Sequence, residues 1–221
     1  MGLIIQVAVL ACLAATVGLD SPGWIAGLAF GAVTCAALDV GLGRTGQAAL
    51  GPADWVTLTR AMLAGGVAAL TADSFVRDVP SVVYVGVTVV ALALDWVDGQ
   101  VARRTGTASE LGARFDMEVD AALLLVLSVY TARSFGVWVL AIGLMRYAYV
   151  AAMWPLPWMR GTLPPRYWRK VVAATQGVVL VVAASGVLPR WLTLAGLLGA
   201  VVLLVESFGR DVLWLKGGAP S

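Results

Sequence analysis

DWVDGQVARRTGTASELGARFDMEVD, residues 95–120, sets four aspartates, Asp95, Asp98, Asp116 and Asp120, inside what otherwise reads as two membrane-spanning helices. A carboxylate at the centre of a span costs about 2.5–3.5 kcal/mol even on the lenient insertion scale. Four of them close together need a shared partner, and clustered oxygen ligands favour a hard divalent cation. Asp95 and Asp98 are three residues apart, and Gly99 and Ala102 follow Asp95 at i+4 and i+7, so all four fall on one helical stripe. Asp116 and Asp120, at i and i+4, share a stripe of the next helix. The eight-residue link between Arg103 and Gly112 makes the two helices antiparallel neighbours, and Thr107 with Glu110 reads as a capping box for the second. The two stripes then face each other, with Asp95 roughly 12 Å along the helix axis from Arg103.

Composition agrees with a membrane setting. The 221-residue chain is 60% hydrophobic and 13% charged, about half the roughly 25% charge of soluble domains, and its mean hydropathy is +0.89. A net charge of +2 gives no reason to expect nucleic acid as a partner. There is no histidine, so acid–base and metal chemistry falls to carboxylates. Cys12 and Cys35 lie in apolar runs and read as packing residues. The N-terminal stretch MGLIIQVAVLACLAATVGLD lacks the basic n-region of a signal peptide and reads as a retained helix.

Apolar runs near the roughly 20 residues that span a bilayer fall at 3–19, 24–41, 55–73, 80–102, 112–132, 136–154, 170–187 and 190–208. The breaks carry turn chemistry, as at Ser21-Pro22-Gly23, Pro164-Pro165 and Leu188-Pro189. The expected organisation is an all-α integral membrane protein. Two N-terminal transmembrane helices (1–43) and a juxtamembrane segment (44–54) precede a six-helix core (55–210) and a cytoplasmic tail (211–221). With eight spans both termini share one side. That side collects Arg44, Arg103, Arg104, Arg114, Arg160, Arg166, Arg169, Lys170, Arg210 and Lys216, against Arg77, Arg133 and Arg190 opposite. The positive-inside rule puts the termini and the aspartates at the cytoplasmic face.

Gly99 and Ala102 leave room beside the carboxylates, and Arg103 at the mouth suits an oxygen-rich anion such as phosphate. Carboxylates, an open slot and an arginine together suggest a phosphoryl ligand held by Mg²⁺ or Mn²⁺, with two ions fitting four aspartates. Glu118 falls on the other side of its helix and stays outside the site. An ion-paired hairpin serving stability alone is a weak alternative, because buried acids are a poor way to gain stability. A divalent-cation transporter would need polar groups continuing through the membrane, and the outer halves of spans four and five, near VVYVGVTVV and LLLVLSVY, are almost wholly apolar.

Written as a pattern, the stretch is D-x2-D-G-x2-A-R-x8-G-x3-D-x3-D. It resembles the signature of the CDP-alcohol phosphotransferase family at every specified position, a chance match on the order of one in ten billion per starting position at average residue usage. Upstream, Asp54-Trp55-Val56-Thr57-Leu58-Thr59-Arg60 is similar to the family's N-x-x-T-x-x-R, with Asp54 in place of the asparagine. The resemblance implies a six-helix core with its site near the cytoplasmic face. It also implies transfer of a substituted phosphate from a CDP-linked donor, for most bacterial members CDP-diacylglycerol, to an alcohol with release of CMP in phospholipid synthesis. Carried over by position, Asp95, Asp98, Asp116 and Asp120 would ligate the metals, and Asp120 would also take the acceptor's proton. Thr57, Arg60, Gly99, Ala102, Arg103 and Gly112 would shape the donor site. Family members are often homodimers.

The acceptor is less legible. Arg146 sits inside the sixth span, where a cation normally faces a cavity or a partner. With Arg166, Arg169 and Lys170 it forms a basic group suited to the phosphate of an acceptor such as glycerol 3-phosphate or inositol phosphate. Serine and other CDP-linked donors stay open, and Gln176 is a candidate polar partner in that cavity.

Overall fold

A computed structural model describes residues 1–45, 51–105, 110–161 and 167–217. Among them are eight α-helices and no strand: α1 Gly2–Val17, α2 Ser21–Thr45, α3 Pro52–Asp73, α4 Ser81–Thr105, α5 Glu110–Phe135, α6 Leu140–Ala152, α7 Tyr167–Ser185 and α8 Arg190–Lys216. They follow the eight apolar runs in order. α8 continues beyond residue 210, where the sequence reading ends the core, and it buries Asp211 and Leu215. Among the described residues three stretches are long and apolar enough to cross a membrane: Ser21–Gly43, Asp54–Asp73 and Arg190–Lys216. Gly2–Val17, Ser81–Asp95 and Val137–Ala152 are apolar but shorter.

The chain divides into two compact units, residues 1–126 and 127–221. In the first, α3 is the central helix and packs against α1, α2 and α4. Two-thirds of its span is buried although it is the least apolar of the three, whereas the more apolar α2 is mostly unburied. Lipid reverses the soluble-protein rule: the most apolar helix can face the tails, and the helix with polar groups must be enclosed. Small residues let α3 be enclosed closely. A side chain at Gly65 would run into the Gln6 amide of α1, and one at Gly66 would press on Val9 and Leu13. An apolar cluster of Leu38, Leu58, Ala61, Met62, Phe115 and Val119 joins α2, α3 and α5.

One ion pair at the end of α3 closes two other helix ends. Asp73, fully buried, accepts from the backbone N–H of Asp20 at 2.9 Å and of Gly23 at 2.7 Å, the first turn of α2. Those N–H groups have no partner within their own helix, and the positive end of α2 favours a carboxylate. Asp73 also accepts from Arg77 Nε at 3.0 Å. Arg77 in turn donates to the carbonyls of Val17, at 2.9 Å, and Gly18 at the end of α1. Asp73→Ala is expected to destabilise the protein by roughly 2–3 kcal/mol, the usual scale for losing charge-assisted bonds to buried donors. Thermal unfolding in detergent measures it, and a midpoint equal to wild type would contradict this role.

The second unit contains the end of α5 with α6, α7 and α8. Gln176 of α7, fully buried, donates from Nε2 to the Ala200 carbonyl of α8 at 2.9 Å. That bond gives Gln176 a place in α7–α8 packing. Tyr149 of α6 meets Phe208 of α8 edge to face at 5.4 Å.

Candidate active site

The site grows from one face of α3. Asp54, Thr57 and Arg60 follow at intervals of three, and all three are buried. Asp54 accepts from the Gly51 N–H at 2.9 Å and so closes the start of α3. That is a local use for the residue standing where the family motif has asparagine. Arg60, two turns further on, is fully buried.

Its guanidinium is the hub of the aspartates. Nη1 bonds Asp95 Oδ1 of α4, and Nη2 bonds Asp116 Oδ1 of α5. Nη2 also lies 3.3 Å from Asp120 Oδ1 and 3.3 Å from the Asp116 carbonyl oxygen. Phe115 and Val119, packed in the apolar cluster with residues of α3, set the rotation of α5. The next residue after each, Asp116 and Asp120, then turns roughly 100° further round the helix. The three carboxylate side chains keep 44%, 36% and 42% of their exposure, so the cluster is open on one side while its arginine is enclosed.

One oxygen from each of Asp95, Asp116 and Asp120 lies within 4.8 Å of the others. Like charges that close repel, and Arg60 offsets only part of the repulsion. Three negative charges against one positive leave a formal charge of −2 at a spot built from oxygen ligands. That donor set and that deficit fit a hard divalent cation.

Of the four aspartates that the sequence groups, the structure brings Asp95, Asp116 and Asp120 together. The sequence reading sets Arg60 with the donor-site residues, whereas in the structure Arg60 lies among the carboxylates. The early signal for this was a cation inside an apolar span, which needs an anion nearby. Thr57 is buried one turn before Arg60, and Gly112 is half-buried at the start of α5. Asp98, Gly99, Ala102 and Arg103 stand on α4 by its backbone range, with their side chains outside the described residues. Thr107 of the expected capping box, and Arg166, also lie outside the described residues. Glu118 is exposed.

The expected acceptor residues belong to the second unit. Arg146 is half-buried and Lys170 exposed. Arg169 is committed to a partner within that unit: it lies 3.0 Å from Asp211, which is itself buried. Sequence reasoning missed both Asp73 and Asp211. Asp73 had a signal in its i, i+4 spacing to Arg77, while Asp211 follows Arg210 at the end of an apolar run and reads as tail.

Residues 51–208 match the family model described as CDP-alcohol phosphatidyltransferase. No curated protein and no solved structure matches the chain.

Proposed function

Because the chain belongs to the CDP-alcohol phosphatidyltransferase family, and is thus a transferase acting from a CDP-linked donor, we propose that its donor is CDP-diacylglycerol and its acceptor a small phosphorylated alcohol. Glycerol 3-phosphate and inositol phosphate are examples of that class. The observation that carries the reading is the convergence of Asp95, Asp116 and Asp120 on buried Arg60, inside the matched region.

The acceptor hydroxyl oxygen bonds to the phosphorus that carries diacylglycerol. The bond from that phosphorus to the CMP oxygen breaks, and CMP leaves. Asp120 takes the acceptor's proton: a hydroxyl is a weak nucleophile, and with no histidine in the chain a carboxylate is the available base. Mg²⁺ or Mn²⁺, two ions held by Asp95, Asp98, Asp116 and Asp120, would offset the charge of the diphosphate and of departing CMP. Arg60 holds Asp95, Asp116 and Asp120 at converging angles. The sequence pattern supports assigning Thr57, Gly99, Ala102, Arg103 and Gly112 to the donor's nucleotide, and Arg146, Arg166 and Lys170 to the acceptor phosphate. Arg169 enters that group only together with Asp211. The core of residues 55–210 lies in the membrane with its site at the cytoplasmic face, so a lipid donor enters sideways and a soluble acceptor from the aqueous side.

Purified protein in detergent, given CDP-diacylglycerol, a divalent cation and a panel of alcohols, is expected to release CMP with one phosphorylated acceptor and to stop on chelation. CMP release with serine alone would overturn the acceptor class. Release only from another CDP-linked donor would overturn the diacylglycerol reading.

A further inference from the structure

A cleft of about 260 Å³ lies within the second unit, where the end of α5 meets the end of α7 and the start of α8. Its polar wall includes Thr131, Ser134, Arg190 and Thr193, and no carboxylate lines it. Three features of its wall favour an anion.

The first is the Thr131 hydroxyl. Thr131 is 2% exposed, and among the described residues its buried Oγ1 has no hydrogen-bond partner. Thr16, Thr59, Thr71, Thr88 and Thr175 each donate to the carbonyl four residues back in their helices. Thr131 does not, and a buried hydroxyl without a partner is costly. The second is the start of α8. This 27-residue helix opens on Pro189 with no side-chain cap, so its first-turn N–H groups present a positive helix end. The third is Arg190, whose guanidinium carbon rests 5.5 Å from the centroid of the Phe135 ring at the cleft.

The surroundings name the anion's source. Val187, Leu188, Trp191 and Leu192 are all exposed around the α7–α8 connection, an apolar surface with a tryptophan of the kind that marks the membrane interface. Ligand sites for drug-sized molecules run to about 300–1,000 Å³, so this cleft suits a smaller group. We propose that the cleft binds the phosphate headgroup of an anionic phospholipid, Thr131 and Ser134 donating to the phosphate and Arg190 closing over it.

The test titrates dihexanoyl-phosphatidylglycerol, dihexanoyl-phosphatidylcholine or inorganic phosphate into the purified protein in detergent and follows thermal unfolding. Thr131→Val, which keeps the shape, and Arg190→Gln, which is at the surface, run beside the wild type. Phosphatidylglycerol is expected to raise the midpoint saturably. Its half-saturation should weaken about fivefold in Thr131→Val, the scale of one neutral hydrogen bond, and about tenfold in Arg190→Gln. CMP release from CDP-diacylglycerol without added phosphatidylglycerol should be unchanged in both variants. Unaltered half-saturation in both variants would overturn the site. An equal response to inorganic phosphate would overturn the lipid source, and an equal response to phosphatidylcholine would overturn the selection for an anionic headgroup.

Discussion

Asp120→Asn is expected to lower CMP release about a thousandfold or more while leaving the protein folded. The amide keeps the shape of the carboxylate but takes no proton at neutral pH. A positioned general base contributes roughly 10²–10⁴-fold, and Asp120 is also one of three carboxylates whose oxygens lie within 4.8 Å of one another. Loss of its negative charge reduces local repulsion around Arg60, so stability should hold or rise slightly. The pair of measurements is the initial rate of CMP release and the thermal midpoint in detergent. A rate within tenfold of wild type, in a protein with a normal midpoint, would remove Asp120 from the chemistry and leave Asp95 or Asp116 to be tried as the base.

Arg60→Gln is expected to act on both stability and turnover. With the guanidinium gone, Asp95, Asp116 and Asp120 face one another without the cation that bridges them. Removing one partner of a buried charge network typically costs 3–5 kcal/mol. The carboxylates here keep about two-fifths of their exposure, so the cost falls to roughly 2 kcal/mol after solvent screening. Added Mg²⁺ or Mn²⁺ should then stabilise the variant more than the wild type, because the same oxygens carry one more uncompensated negative charge. Turnover should fall by about 100-fold even with saturating cation, since the aspartates lose the group that aims them. Arg60→Lys restores the charge but is a compact ammonium, not a planar fork reaching Asp95 on one side and Asp116 on the other. It should recover stability more than rate. Cation-dependent stabilisation no greater in Arg60→Gln than in wild type would show that Arg60 and the cation do not share these carboxylates.

Much of this architecture is legible along the chain. The eight helices follow the apolar runs because hydropathy and the turn residues between runs are local properties, complete within about twenty residues. The facing of Asp95 toward Asp116 and Asp120 is also nearly local: an eight-residue link between two helices leaves little choice but an antiparallel pair, and the i, i+4 spacing does the rest. Even the departure at Asp54 has a local account, its bond to the Gly51 N–H three residues away.

What the chain alone did not reveal lies at long separations. Arg60 reaches Asp95 across 35 residues and Asp116 across 56, and Asp73 reaches the start of α2 across 50. Read alone, Arg60 is a cation in an apolar run and Asp73 an acid at a helix end, each open to several partners. Hydropathy also ranks α3 as the least apolar of the three long spans, which says nothing of where it sits. The helices, their order and the acidic chemistry are all written in spacing and composition. That α3 is the enclosed helix, and that its arginine serves the aspartates, emerges from the packed fold alone. Which polar group meets which depends on how several helices close around one another, and no single helix carries that information.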